Sequence, residues 1–316
     1  MRKWFLLLLC LLPLLCKAQL MACRGFVKGG YDFWLYLPDD YSTSEKKPLV
    51  LFLHGKSLSG HNLNMVRNYG CVDAVSRGRK IDAVIVAPQT SGAWQPAKVM
   101  EVIDWVKKNY TVDMDRFYVI GMSMGGYGTL DFAAAYPDKV AAAMALCGGA
   151  TETELCGLNE LPLWIIHGTA DTAVPVGCSD RVVEAMAVCG DTTRLIYGRF
   201  KGVNHTRLAR VFYLEETYDW LFAHRLTDSL RSVDRNVEIT AETLNDAFAD
   251  LTRSNQVKVI DAKNPNQAEH QYYVVKKGDT LSSIAVEQGT TVSILCQLNH
   301  IKKTTPLKVG KKIRIK

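Results

Sequence analysis

The sequence predicts an α/β fold, a doubly wound and mostly parallel sheet, followed by a small domain of strand, helix, helix, strand order. Three observations carry this. Short apolar runs alternate with segments of helical period from residue 33 to residue 222. Residues 224–270 then turn polar and mixed in charge, the composition of a linker. Residues 271–316 regain strand and helix patterns within a short span.

In chain order, a Lys28-Gly29-Gly30 turn precedes an alternating run at 33–37 and reads as a hairpin. Buried strands follow at 49–53, 83–87, 117–120, 142–146, 163–166 and 194–197. Helices are expected at 97–109, 124–136 and 179–188, with an amphipathic helix over 208–222 closing the domain and one more helix near 242–251. In such a sheet the ligand site belongs at the carboxyl ends of the strands.

With 48% hydrophobic residues in 316, disordered, collagen-like and low-complexity chains are excluded. The formal charge of +6 is unevenly spread: residues 1–18 carry +3, residues 19–270 carry −4 and residues 271–316 carry +7. A basic tail suits an anionic polymer. Nucleic acid is not the expected partner, since no interleaved aromatic and basic pattern accompanies the charge.

Met1-Arg2-Lys3, an apolar run over 4–15 and Cys16-Lys17-Ala18 read as a signal peptide over 1–18, so the chain is expected to be exported, periplasmic or cell-wall associated, with no transmembrane segment. Leu20-Met21-Ala22-Cys23 loosely resembles a lipoprotein cleavage box, with Lys17 standing between it and the apolar run. Beyond the signal seven cysteines remain, an odd number in a compartment that permits disulfides. Proximity alone pairs Cys147 with Cys156 and Cys178 with Cys189. No CxxC pairs exist to hold zinc, and no metal or organic cofactor is expected.

The strongest local signal is Gly121-Met122-Ser123-Met124-Gly125, entered from a strand and left by a small-residue helix. GxSxG in that context puts a serine on a sharp turn at a helix N-terminus, with small residues where backbones approach. A serine needs a base and an orienting acid, expected downstream in the order Ser, Asp, His. His205 lies in a loop between the last strand and the closing helix, and Asp171 follows the strand that ends at Ile166-His167-Gly168. Backbone N–H groups of Met124 and of Lys56, after Leu53-His54-Gly55, are the expected oxyanion donors. His54 is read as shaping its loop, and Trp94 as lining the substrate pocket.

These motifs, with Val86-Ala87-Pro88-Gln89, Asp171-Thr172-Ala173-Val174-Pro175 and Asn204-His205, resemble the secreted esterase branch of the α/β-hydrolase superfamily over residues 26–223, within a catalytic domain expected at 19–223. That branch includes feruloyl-esterase-like, polyhydroxybutyrate-depolymerase-like and prolyl-oligopeptidase-like proteins. The resemblance implies a Ser123, Asp171, His205 triad acting on an ester substrate, peptide bonds being the alternative, in an open pocket without a lid.

In the tail, Tyr272 to Ala285 gives a strand, a Gly-Asp turn and a helix capped by Thr280, followed by a second helix and a returning strand at 307–315. The segment 271–316 resembles a LysM domain. The resemblance implies binding of peptidoglycan or chitin-like glycans between two loops, Gly278, Asp279, Thr280 and Leu281 on one side and Asn299, His300 and Ile301 on the other.

Overall fold

The computed structural model describes residues 18–251, 257–262, 272–288 and 290–315. The expected signal peptide, apart from Ala18, and residues 263–270 of the expected linker lie outside the described residues. The chain divides into two units, residues 1–262 and 263–316.

Among the described residues the first unit is built on nine strands: β1 Gln19–Cys23, β2 Phe33–Leu37, β3 Lys47–Leu53, β4 Val84–Pro88, β5 Val112–Met122, β6 Ala142–Leu146, β7 Leu163–Gly168, β8 Leu195–Phe200 and β9 Lys258–Asp261. Their order is β8-β7-β6-β5-β3-β4-β2-β1-β9, and β3 to β8 run parallel to one another. Only β2 runs against the rest, pairing antiparallel with both β4 and β1. The helices are α1 Cys71–Ser76, α2 Pro96–Asn109, α3 Met124–Ala135, α4 Gly177–Cys189, α5 His205–Leu208 and α6 Glu215–Phe222. Strand residues alternate between two faces: Val50 and Phe52 enter one apolar cluster, Leu49, Leu51 and Leu53 the other. Helices on both faces bury these strands, which explains why they read as continuous apolar runs.

The chain adds β4 on one side of β3 and then β5, β6, β7 and β8 on the other. That reversal opens a crevice at the carboxyl ends of β3 and β5, where a doubly wound sheet places its ligand.

Several expectations are corrected. The linker does not begin at 224, because Ile239, Leu244 and Ala247 are buried in the main core and β9 extends the sheet beside β1. The helix expected near 242–251 is only a 3-10 turn, Thr243–Asn245. The closing helix is broken into α5, a 3-10 segment Ala209–Tyr213 and α6, since Leu214 is extended at φ −77° and ψ 142°. The pairings Cys147–Cys156 and Cys178–Cys189 do not occur. The disulfide joins Cys156 to Cys189 across 33 positions, tying the 3-10 segment Cys156–Glu160 to the end of α4. Cys147 is instead buried at the end of β6, and Cys178 stands at the start of α4, both as free thiols.

Cys23 closes β1 and is fully buried. Among the described residues no helix is long and apolar enough to cross a membrane.

In the second unit, β10 Tyr272–Val274 pairs antiparallel with β11 Lys312–Arg314, and α7 Leu281–Glu287 and α8 Val292–Asn299 lie between them in sequence. Tyr273, Leu281, Ile284, Leu295 and Ile313 form its small core. Thr280 and Ser283 build a reciprocal capping box at the start of α7.

Candidate active site

β5 delivers the chain to Ser123 at φ 59°, a backbone conformation that L residues rarely adopt, and α3 begins at the next residue. The flanking glycines are obligatory by contact. A Cβ on Gly121 would stand 2.3 Å from the Gly125 carbonyl oxygen, and one on Gly125 would stand 1.8 Å from that of Leu53. The small residues therefore let α3 settle against the end of β3 and lift Ser123 at the crevice.

The acid and the base are brought together by two interlocked loops. After β7, Thr169 N–H donates to the Phe200 carbonyl at 2.9 Å and Ala170 N–H to that of Val203 at 3.1 Å. The loop after β8 answers with Gly202 N–H on the Thr169 hydroxyl at 3.0 Å. Asn204 then caps α5 by accepting from Arg207 N–H, so that His205 opens the helix. The outcome is a 2.6 Å hydrogen bond from His205 Nδ1 to Asp171 Oδ2. The other carboxylate oxygen accepts from the N–H groups of Ala173 and Val174, both at 2.9 Å, which fixes its plane. With Nδ1 donating, a neutral His205 has Nε2 free to accept.

A second imidazole lies behind the acid. His167 Nε2 donates to the Val174 carbonyl at 2.9 Å and stands 3.5 Å from Asp171 Oδ2, while Nδ1 is 2.7 Å from the Ser179 hydroxyl. His167 and Ser179 are both fully buried, and burial lowers the imidazole's pKa. This serine–histidine contact therefore braces the Asp171 loop from the interior. Cys147 reaches the same carboxylate: its sulfur lies within 4.8 Å of the ligating atoms of Asp171 and His205, and burial, then the Asp171 charge, push its thiol pKa up.

Ser123 and His205 line one cavity of about 690 Å³, together with Lys56, Met124 and Trp94. Lys56 and Met124 each open a helical segment, a 3-10 turn Lys56–Leu58 and α3, where backbone N–H groups lack partners within the helix. Trp94 is held by its indole N–H on the His54 carbonyl at 3.1 Å and by an edge contact with the His54 ring. His54 accepts Thr90 N–H at Nε2 and donates from Nδ1 to Gly55, and burial lowers its pKa to about 4. It is a neutral strut of the loop.

Among the cavity residues that sequence reasoning missed are Tyr127, Asp131 and Thr151. The signal was available for two of them, since Tyr127 and Asp131 follow the N-cap Ser123 at helical spacing. It also missed the brace on α5. Arg207 donates to the Ala241 carbonyl at 3.0 Å and to Asn245 Oδ1 at 2.6 Å, and Arg210 to the Leu244 carbonyl at 3.0 Å.

The sequence matches the Esterase family model over residues 27–180 and the LysM domain model over residues 273–316. The chain joins an α/β-hydrolase esterase domain to a LysM domain. The esterase domain resembles a bifunctional acetylxylan esterase/xylanase of Neocallimastix patriciarum, 28% identical over 153 residues, 45% of this chain and 22% of that protein. Among solved structures, a thermostable esterase matches with a TM-score of 0.54 at 25% identity, over 61% of this chain and 59% of that one. The feruloyl esterase module of Clostridium thermocellum shares the fold, with a TM-score of 0.51 at 17% identity over 66% of this chain and 89% of that one. The chain spans between 14% and 34% of the length of the first curated relatives it matches.

In the LysM domain, Asn299 spends its amide on structure, donating to the carbonyls of Leu295 and Arg314 and accepting Arg314 N–H at 2.7 Å. Asp279 accepts Lys276 N–H at 2.7 Å to close the turn at Gly278, whose φ is 89°. Leu281 is core, and Ile301 packs against it. Of the seven loop residues, Gly278, Thr280 and His300 are exposed.

Proposed function

We propose that this chain is an exported serine esterase in which Ser123, His205 and Asp171 form the triad, and that its LysM domain holds it to peptidoglycan or a related N-acetylglucosamine glycan. The observation that carries the reading is the shared cavity: a serine raised on a left-handed turn faces the same space as an imidazole whose far nitrogen is tied to a buried carboxylate at 2.6 Å. His205 Nε2 takes the Ser123 proton as Oγ attacks the ester carbonyl, and Asp171 stabilises the resulting imidazolium. The N–H groups of Met124 and Lys56 receive the developing oxyanion. His205 then returns the proton to the leaving alcohol, and water, activated by the same base, frees the acid.

An ester substrate is favoured over an amide by the esterase family match and the acetylxylan esterase relative. The exposed lysines of the tail, at 276, 277, 302, 303, 308, 311 and 312, add attraction to anionic wall polymers. Purified protein is expected to hydrolyse 4-nitrophenyl acetate, and Ser123→Ala to lower kcat by at least about a thousandfold. Activity that survives that substitution excludes this site. Sedimentation with insoluble peptidoglycan, full chain against a chain ending at Ala262, tests the tail; equal retention rejects its assigned role.

A further inference from the structure

The cavity has two ends of different chemistry. Ser123, Tyr127 and Asp131 are spaced i, i+4 and i+8, and all three line it, so Asp131 stands about 12 Å along α3 from the nucleophile. The wall between is apolar and close. A Cβ on Gly128 would meet the Trp94 ring at 2.6 Å, and burial, then the Cys178 contact, raise the Tyr127 phenol to about 12, so it stays neutral.

Asp131 ends this wall as a carboxylate only 2% exposed. Its Oδ1 accepts the N–H of Thr151 at 2.8 Å and of Glu152 at 3.1 Å, and its Oδ2 accepts the Thr151 hydroxyl. A carboxylate offers about four lone-pair positions, so one remains on Oδ2. Among the described residues no ion pair reaches it. A buried carboxylate without a cation attracts a hydrogen-bond donor and repels an anion.

We propose that Asp131 is a specificity-determining residue that reads the far end of the acyl group: the esterase selects acyl chains that are apolar along their length and end in a hydroxyl, and rejects those ending in a carboxylate. This rests on the serine esterase reading. The leaving oxygen must lie against His205, its proton source, which gives the α3 side of the cavity to the acyl part. Subtracting a hydrogen bond of about 2.8 Å from the 12 Å span leaves about 9 Å, an extended chain of about seven or eight bonds.

The test uses the full-length protein and 4-nitrophenyl esters of one leaving group: acetate, octanoate, 8-hydroxyoctanoate and the monoester of octanedioic acid. The expected kcat/KM for the hydroxyl ester exceeds that for octanoate at least about tenfold, and the carboxylate ester falls at least about tenfold below octanoate. Asp131→Asn is expected to shrink the hydroxyl-to-carboxylate ratio by at least about tenfold. Equal wild-type rates for the three eight-carbon esters, with acetate hydrolysed, overturn the inference while the esterase reading stands, whatever the stability of the variant. A wild-type preference that persists in Asp131→Asn overturns the assignment to Asp131. No hydrolysis of any ester, acetate included, overturns both.

Discussion

At the scale of single residues, the catalytic turn is governed by what cannot be added to it. Gly125 has an ordinary helical φ, so its constraint is purely one of space: the Leu53 carbonyl oxygen occupies the place of a side chain, and that oxygen belongs to sheet backbone that cannot swing away. Gly125→Ala is therefore expected to destabilise the esterase domain by about 3 kcal/mol or more and to displace Ser123 from the cavity. Chemical denaturation and ester turnover measured on the same preparation check both effects; a stable and active variant contradicts the packing described here. The proposed triad residues were singled out at this scale because chain order and strand ends restrict the choice. Asp131 was not. In α3 it reads as one polar position on a helix of small residues, and only the loop carrying Thr151 and Glu152, remote in sequence, reveals it as a buried acceptor.

Among elements, the parallel strands from β3 to β7 were visible because burial on both faces leaves an unbroken apolar run. β1 and β9 were not. β9 has four residues, two of them charged, and a run so short gives no period. The segment 224–262 lacks regular structure over most of its described length and so looked like a linker, yet Ile239, Leu244 and Ala247 are buried in the main core. Arg207 and Arg210 grip its backbone at Ala241 and Leu244 and hold the helix that begins with His205. A chain ending at Ala223 is accordingly expected to lose at least about a hundredfold in kcat/KM and to unfold more readily, whereas a chain ending at Ala262 keeps the full chain's turnover of soluble esters. Equal activity of the two truncations rejects the bracing role.

For the molecule as a whole, buried histidines set how stability responds to acid. His54, His167 and His224 are enclosed, and burial lowers the pKa of each below the ordinary 6.5, for His54 to about 4. In the unfolded chain all three take up protons as the pH falls through 6.5, while the folded chain resists. Their contribution to stability is therefore complete above pH 6.5 and is lost on the way down, for His54 by about pH 4, where that residue alone accounts for roughly 3 kcal/mol. Every tryptophan precedes residue 221, so fluorescence-detected urea unfolding follows the esterase domain alone. Its midpoint is expected to drop steadily between pH 6.5 and 4; a constant midpoint over that window contradicts the enclosure of these imidazoles.

One consequence of the strand directions concerns where the sheet's last strand ends. β9 lies parallel to β1, which is antiparallel to β2, which is antiparallel to β4, so β9 finishes at the same rim as β5. Asp261, its final residue, therefore stands on the shore that carries Ser123, five strand spacings or about 24 Å to the side.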